Sequence, residues 1–473
     1  MKCTLLLLLL IPTSWSIAAA PLFFGAERYG VRPNHELLWR VPVKGATEVK
    51  VIGELPTSVT FDSTHRTFRG KIAKPGEYRI VLRASNDQKE FSEQTVTLCV
   101  GENICLTPPM GWNSWYSYSE AIRQENIEKV ARLLVETGLA NFGWTSVNID
   151  DCWQGDRKGT GPLQPNPKFP NMKAMCDALH AQGLKAGIYH TPWIGTYAGF
   201  RGGSVDREPK NIIPAEQQQQ PGQVFGSYPG TERRGQDHTG ELWMFDIDAK
   251  QWAEWGFDYV KVDWKPNDIP TTERIAKDLR ASGRDIILSL SNAAPIGNAK
   301  GLAKYAQLWR TTGDIQDHWG SLRSIGRAQL QWIPYQSVGH WNDPDILQIG
   351  RIGTPNQKNT SFRPSRLSEN EQRYQMTLWC MLSAPLIISS DLESLSETTL
   401  ALLTDTTLLA LNQKYASAPL SIVENKPNYF ILRKQISPSR AVDVLFNDSN
   451  QPVTHPAFPG ETIAPHTATV PHL

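Results

Sequence analysis

The sequence is poor in cysteine, with six in 473 residues, and it lacks the spacings that let cysteines act together. No CxxC pair and no His/Cys cluster at zinc-ligand spacing occurs, which argues against structural zinc modules and dithiol redox chemistry. His35-Glu36 opens like the helix of a zinc protease, but no second histidine follows where that motif needs one. Neither a P-loop nor a GxGxxG turn is present, so nucleotide chemistry has no phosphate cradle. Strong charge of one sign is missing as well. The formal net charge is +1, without a long basic or acidic run. That balance speaks against capture of nucleic acid or of an anionic membrane surface, and a neutral substrate fits it better. After the first twenty residues no apolar run is long enough to span a bilayer.

The N-terminus itself reads as an export signal. Lys2 supplies the charged start, Leu5 to Ile11 the apolar stretch, and Ala18-Ala19-Ala20 a small-residue cleavage region. Pro21 disfavours a cut directly before it, so cleavage after Ala18 is the alternative. Residues 1–20 are therefore expected to leave a secreted or periplasmic mature chain. Cys3 would leave with them, and Cys99, Cys105, Cys152, Cys176 and Cys380 would remain. An odd number leaves at least one thiol unpaired, while Cys99 and Cys105 are near enough in sequence to pair. Tryptophan is plentiful, with 16 residues, which suits sugar-stacking surfaces and core packing alike.

Residues 21–104 read as a β-sandwich. Short β-branched runs at Glu48–Ile52, Tyr78–Leu82 and Thr95–Val100 are separated by turns such as Pro75-Gly76. The pattern changes at Thr107-Pro108-Pro109. From there, strand-like runs alternate with helical stretches, as in repeated βα units. The expected strands are Met110–Trp112, Thr145–Ile149, Leu184–Tyr189, Tyr259–Val262, Ile286–Leu290, Leu308–Thr311, Gln336–His340 and Ala384–Ile388. Eight of them, with helices between, point to an α/β fold of the closed (β/α)8 TIM barrel type over residues 105–413. A polar stretch at residues 201–242, including Gln217–Gln220, interrupts the barrel after its third strand. It reads equally as a substrate-shaping lid and as a surface insertion. Residues 414–473, with strand-like runs at Asn428–Arg433 and Ala441–Phe446, form a short C-terminal β module.

Barrels of this kind carry their chemistry at the C-terminal ends of the strands, and acids accumulate there. Asp150-Asp151, Asp263, Asp314, Asp343 and Asp345 all follow expected strands. One acid in such a place is usually a helix cap or turn residue. Five or six converging on one rim suggest glycoside hydrolysis. Retention in that reaction takes two carboxyl groups about 5–5.5 Å apart, one nucleophilic and one acid/base.

Six motifs make the reading specific: Pro109-Met110-Gly111-Trp112-Asn113-Ser114-Trp115, Asn148-Ile149-Asp150-Asp151-Cys152-Trp153, Gly187-Ile188-Tyr189, Lys261-Val262-Asp263, Trp309-Arg310 to Asp314, and Trp341-Asn342-Asp343-Pro344-Asp345. Their order resembles glycoside hydrolase family 27, which contains α-galactosidases and α-N-acetylgalactosaminidases, over roughly residues 107–415. The resemblance implies Asp263 as nucleophile and Asp314 as acid/base. It further implies Asp150, Asp151, Lys261, Arg310 and Asp345 as ligands of the sugar hydroxyls, with Trp115 and Tyr189 as aromatic walls. Lys261 lies two residues from Asp263, so on a strand both face one way, and its charge is expected to keep Asp263 ionised. No metal or organic cofactor is implied. Dimers or tetramers are common among such relatives. The N-terminal module resembles the immunoglobulin-like module of bacterial glycosidases.

Two departures bear on function. The cysteine that often follows the nucleophile in this family is replaced by Trp264 or Lys265, and its partner by Tyr197, so that bridge is absent. Ser289 to Pro295 replaces a Glu/Trp-containing specificity segment, which puts Asn292 opposite the 2-position of the sugar. The leading expectation is thus an exo-acting α-galactosidase. Two alternatives accompany it: the same mechanism on an α-N-acetylgalactosaminide, β-L-arabinopyranoside or glucan end, and a carbohydrate-binding protein without activity.

Overall fold

The computed structural model describes residues 19–207, 237–353 and 361–473. The leader up to residue 18 and residues 208–236 of the insertion lie outside the described residues.

The N-terminal residues build two sheets over one core. Strands Arg28–Val31, Phe91–Val100, Gly76–Ser85 and Glu48–Ile52 form the first, and Leu37–Arg40, Thr67–Gly70 and Val59–Asp62 the second. Leu37, Trp39 and Phe68 of one sheet meet Ile80, Leu82, Val96 and Leu98 of the other. Alternation of apolar and polar residues along the long hairpin supplies that inner face. The sandwich sits under the barrel. Arg32 N donates to Asp285 Oδ2 at 2.9 Å, and Arg40 donates to Gln182 O and Asn141 Oδ1, both at 2.8 Å. These partners all precede barrel strands, so the module braces the face opposite the strand C-termini.

Eight parallel strands form the barrel: β1 (Met110–Asn113), β2 (Ser146–Asn148), β3 (Lys185–His190), β4 (Tyr259–Asp263), β5 (Ile287–Ser291), β6 (Leu308–Arg310), β7 (Trp341–Asp343) and β8 (Leu386–Ile388). They pair in the order β7-β6-β5-β4-β3-β2-β1-β8. The ring closes just beyond β7, where Leu347 bridges Ile388 in parallel and its N–H donates to Ile387 O at 2.8 Å. Local signals start the surrounding helices. Asp268 caps Ile269–Ala281 with Pro270 in the first turn, and Ser368 and Glu371 form a reciprocal capping box on Glu369–Met381.

The seventh strand is not where the sequence placed it. Ser337 and His340 instead close a tight turn, each N–H bonding the other's carbonyl at 2.9 Å, and the strand follows it at Trp341–Asp343. Polar Asn342 and Asp343 are buried there with partners, which erases the apolar alternation a strand usually shows. Cys99 and Cys105 do not pair; all five described cysteines are free thiols. Eight tryptophans, Trp112, Trp144, Trp153, Trp252, Trp309, Trp332, Trp341 and Trp379, are fully buried. With Trp39, Trp193 and Trp264, which are also buried, most of the tryptophan serves the core. Strands Leu420–Asn425, Tyr429–Ser437, Arg440–Asn447 and Thr467–Ala468 complete an antiparallel C-terminal sheet. Among the described residues, no helix is long and apolar enough to cross a membrane.

Candidate active site

A cleft of about 660 Å³ opens at the C-terminal ends of the barrel strands, and it gathers all ten residues singled out from the sequence. Trp115 follows β1, Asp150 and Asp151 follow β2, and Tyr189 lies on β3. Lys261 and Asp263 end β4, Asn292 follows β5, Arg310 ends β6, Asp314 lies four residues on, and Asp345 follows β7. Of the acids expected on the rim, Asp343 is the exception. It lies beneath the cleft, where its Oδ1 accepts the Asp345 N–H at 2.8 Å. That bond holds Asp345 at a φ of 89°, a left-handed conformation that few non-glycine residues adopt.

Asp150 is held on three sides. Its Oδ2 accepts from Lys261 Nζ at 2.8 Å and Asn113 Nδ2 at 2.9 Å, and its Oδ1 accepts the Asp151 N–H at 2.9 Å. Asp151 takes the backbone N–H of Cys152 at 2.8 Å and of Ala198 at 2.9 Å. Burial nevertheless pushes its pKa up to about 6. Two carboxylates and one ammonium thus present fixed acceptors and donors, as the hydroxyls of a pyranose require.

Asp263 has two different oxygens. Oδ2 accepts the Tyr189 hydroxyl at 3.2 Å, whereas Oδ1 is buried with no hydrogen-bond partner among the described residues. Tyr189 is therefore a donor as well as a wall, and Lys261 Nζ stands 5.3 Å from the centre of its ring. Lys261 favours the ionised form of Asp263 but does not act on it alone. Burial raises the Asp263 pKa to about 6; Lys261 pulls against that rise, while Asp314 and Asp150 add to it. Lys261 is already committed to Asp150.

Arg310 joins the other two acids. Its Nη2 lies 2.9 Å from Asp345 Oδ2 and 3.2 Å from Asp314 Oδ1. Burial drives Asp345 up to about 7 in spite of Arg310. Asp314 behaves oppositely. Its surroundings disfavour the charge, but Arg310 and Lys261 prevail and hold it below the usual carboxylate range. Its side chain, 60% exposed, stands at the solvent side of the cleft.

The cleft also contains residues the sequence did not single out. Tyr116 donates its hydroxyl to Ile315 O at 2.6 Å, and Tyr197, Gln316, Asp317, Arg363 and Arg366 line the outer part. Gln316 and Asp317 were readable as the continuation of the Asp314 loop; the arginines carried no spacing signal. No group of three or more His, Cys, Asp or Glu positioned to hold a metal occurs among the described residues.

Comparison with known proteins agrees with this geometry. The family model described as Alpha galactosidase A (Melibiase_2) matches residues 107–213 and 221–414. An α-galactosidase of Oryza sativa subsp. japonica is 32% identical over 356 residues, covering 74% of this chain and 73% of its own. A GH27 β-L-arabinopyranosidase of Geobacillus stearothermophilus, solved with arabinose, superposes with a TM-score of 0.60 at 26% identity, over 73% of this chain and 86% of its own. A Bacteroides fragilis structure shares the fold across 95% of this chain and 96% of its own, with a TM-score of 0.78 at 23% identity. With a barrel that gathers acids at its strand ends, and a family match over most of its length, this chain belongs to the α-galactosidase A family of glycoside hydrolases.

Proposed function

We propose that the chain is an exo-acting α-galactosidase that releases terminal galactose with retention, Asp263 being the nucleophile and Asp314 the acid/base. The observation that carries this reading is the state of Asp263, which lines the cleft at the end of β4 with one oxygen held by Tyr189 and the other without a hydrogen-bond partner among the described residues. A nucleophile needs a free lone pair at a fixed position. In the first step the Asp263 carboxylate attacks the anomeric carbon while Asp314 gives its proton to the departing glycosidic oxygen. In the second, Asp314 takes a proton from water, water attacks the anomeric carbon, and the ester to Asp263 breaks.

The protein's own groups order the protons the other way round, with Asp263 the more basic acid and Asp314 the less. Substrate corrects this by ordinary electrostatics. A sugar over the exposed Asp314 strips its water and raises its pKa, and hydroxyls donating to Asp263 lower that of the nucleophile. Asp150, Asp151 and Lys261 then bind galactose hydroxyls, and Trp115 offers a ring to its C–H face.

Asn292 supports a second reading on the same mechanism. Its Oδ1 is buried without a partner among the described residues, so it asks for a donor from the ligand, and either a 2-hydroxyl or the N–H of a 2-acetamido group would serve. We further infer that residues 1–20 direct export and that the N-terminal sandwich is an immunoglobulin-like spacer.

The test is the hydrolysis of nitrophenyl α-D-galactopyranoside by the mature chain and by Asp263→Asn, with the 2-acetamido analogue alongside. Turnover of the galactoside that disappears in the variant supports the proposal, and proton NMR should show α-galactose as the first product. A folded wild type that ignores the galactoside would falsify it, and turnover of the 2-acetamido analogue alone would select the second reading.

A further inference from the structure

Asp317 lies three residues beyond Asp314 and binds two arginines at once. Strands Arg351–Ile352 and Arg363–Pro364 pair antiparallel with Ile352 opposite Arg363. Arg363 Nη1 and Nη2 donate to the Asp317 carboxylate at 2.6 and 3.2 Å. Arg366 donates to it through its backbone N–H and its Nη2, both at 2.8 Å. The Asp317 side chain is only 5% exposed, while those of Arg363 and Arg366 are 35% and 59% exposed. Burial opposes charge on Asp317, but both arginines bind the carboxylate and bring its pKa down to about 2. It is ionised at any working pH.

Among the described residues one carboxylate therefore answers two guanidinium ions, and a positive charge is left over beside the cleft. Stapling the hairpin to the Asp314 loop would take a single arginine. Each guanidinium carries five N–H donors, and the two oxygens of Asp317 cannot use them all. Both arginines line the cleft in company with Asp314 and Gln316. Exposed Lys265 is close enough for its charge to act on Asp314 as well. The acid/base stands where the leaving group departs, so this charge faces the aglycone, while Asp150, Asp151 and Lys261 take the galactose.

We propose that Arg363 and Arg366 form a subsite for an anionic group, a carboxylate or a sulfate ester, on the sugar that follows the cleaved galactose. The inference rests on the α-galactosidase reading, because only there does the side of Asp314 become the leaving-group side. Planar carboxylates and the oxygens of a sulfate both match the donor fork of arginine. The near-neutral charge of the whole chain does not oppose this, since the recognition is local.

Two matched pairs of aryl α-galactosides test it: 4-carboxyphenyl against 4-carbamoylphenyl, and 4-sulfophenyl against 4-sulfamoylphenyl. The quantity read is the ratio of kcat/KM for the charged over the neutral member, compared between wild type and variants. Intrinsic leaving-group differences cancel in that comparison, as does any loss of folded protein. At low salt, replacement of Arg366 by Gln should lower the ratio by about fivefold in at least one pair, as expected for a partly exposed charge contact. Arg363→Gln should act in the same direction, Arg366→Lys should keep most of the preference, and about 0.5 M salt should weaken it in the wild type. A change confined to the carboxylate pair assigns a uronate-type aglycone, and one confined to the sulfonate pair a sulfated one. Ratios untouched by either glutamine substitution overturn the subsite while leaving the galactosidase reading intact. No turnover of the neutral members by wild type overturns both.

Discussion

Lys261 gives its ammonium to Asp150, 2.8 Å away across the barrel from β4 to β2, although Asp263 lies only two residues along its own strand. The lysine thereby fixes a carboxylate proposed to bind the sugar, and Asp263 is left with a residual field that does not overcome its burial. The basic strength of the proposed nucleophile thus follows first from its burial, with Lys261 opposing it from a position spent on Asp150.

The pH profile should show it. As the proposed nucleophile Asp263 works as an anion, and burial raises its pKa to about 6. With nitrophenyl α-galactoside, whose leaving group needs little acid assistance, kcat/KM should fall below about pH 6, approaching tenfold per unit. Lys261→Met removes the one group named here that both lowers this pKa and sits on the same strand, so the acidic limb should move to higher pH. A wild-type profile that stays flat down to about pH 4.5 would show that the nucleophile is ionised far more easily than the geometry implies.

The same burial makes the site a cost to the fold. Asp151 and Asp263 are raised to about 6 and Asp345 to about 7. Between the unfolded value near 4 and these folded values, the native state binds more protons than the unfolded one. Stability contributed by this cluster is therefore present at low pH and lost as pH rises toward 7. Asp263→Asn should abolish activity and yet stabilise the protein at pH 7.5 by about 1–3 kcal/mol, with a smaller gain at pH 5. Denaturant melts at the two pH values decide it. Equal or lower stability of the variant at pH 7.5 would mean that Lys261 and Tyr189 fully compensate the buried charge.

Sequence alone exposes the inner half of the site because a barrel brings the ends of all its strands to one face. Lys261 and Asp263 are legible through their spacing of two, and Asp150-Asp151 through the strand before them. The strand at Trp341–Asp343 is obscured by its own chemistry. Asn342 donates to Trp332 O at 2.8 Å and Asp343 accepts from Asp345, so two polar residues are satisfied inside the structure and no apolar run announces it. Arg363 and Arg366 are hidden for a different reason. They lie 46 and 49 residues from Asp317, and only the hairpin carries them to it. The proton order of Asp263 and Asp314 is not a matter of motif at all; it follows from burial and from how Arg310 is shared.

Replacement of Asp314 separates its two duties. Asp314→Gly should cost about 10²- to 10⁴-fold in kcat/KM on raffinose-type substrates, whose leaving oxygen needs a proton, and far less on nitrophenyl galactoside. Azide should rescue turnover of the aryl substrate and give α-galactosyl azide, since it attacks the glycosyl ester on Asp263 from the face that water normally uses. Asp263→Gly with azide should give the β-azide, because the anion then stands in for the nucleophile. The opposite assignment of anomers would exchange the roles of the two acids.

A buried cation is one of the ties between the C-terminal sheet and the barrel, and it gives that joint a pH response. Lys434 Nζ donates to Ser383 Oγ and Leu411 O, both at 2.7 Å, and to Cys380 O at 3.3 Å. Its side chain is fully buried among them, and burial lowers its pKa to about 7 against an unfolded value near 10.4. Between these values the unfolded chain binds the extra proton, so the contribution of Lys434 to stability grows as pH rises from 7 toward 10. Lys434→Met fills the same space but leaves three acceptors without a donor, which should cost about 1–3 kcal/mol. Melts of wild type and variant at pH 7 and pH 9 measure both effects. The wild type should gain on the variant at pH 9, and activity per folded molecule should be unchanged, because the C-terminal sheet lies away from the cleft-lining residues. A gap between the two proteins that is the same at both pH values would show that Lys434 keeps its proton through this range, and that the three acceptors outweigh the burial of its charge.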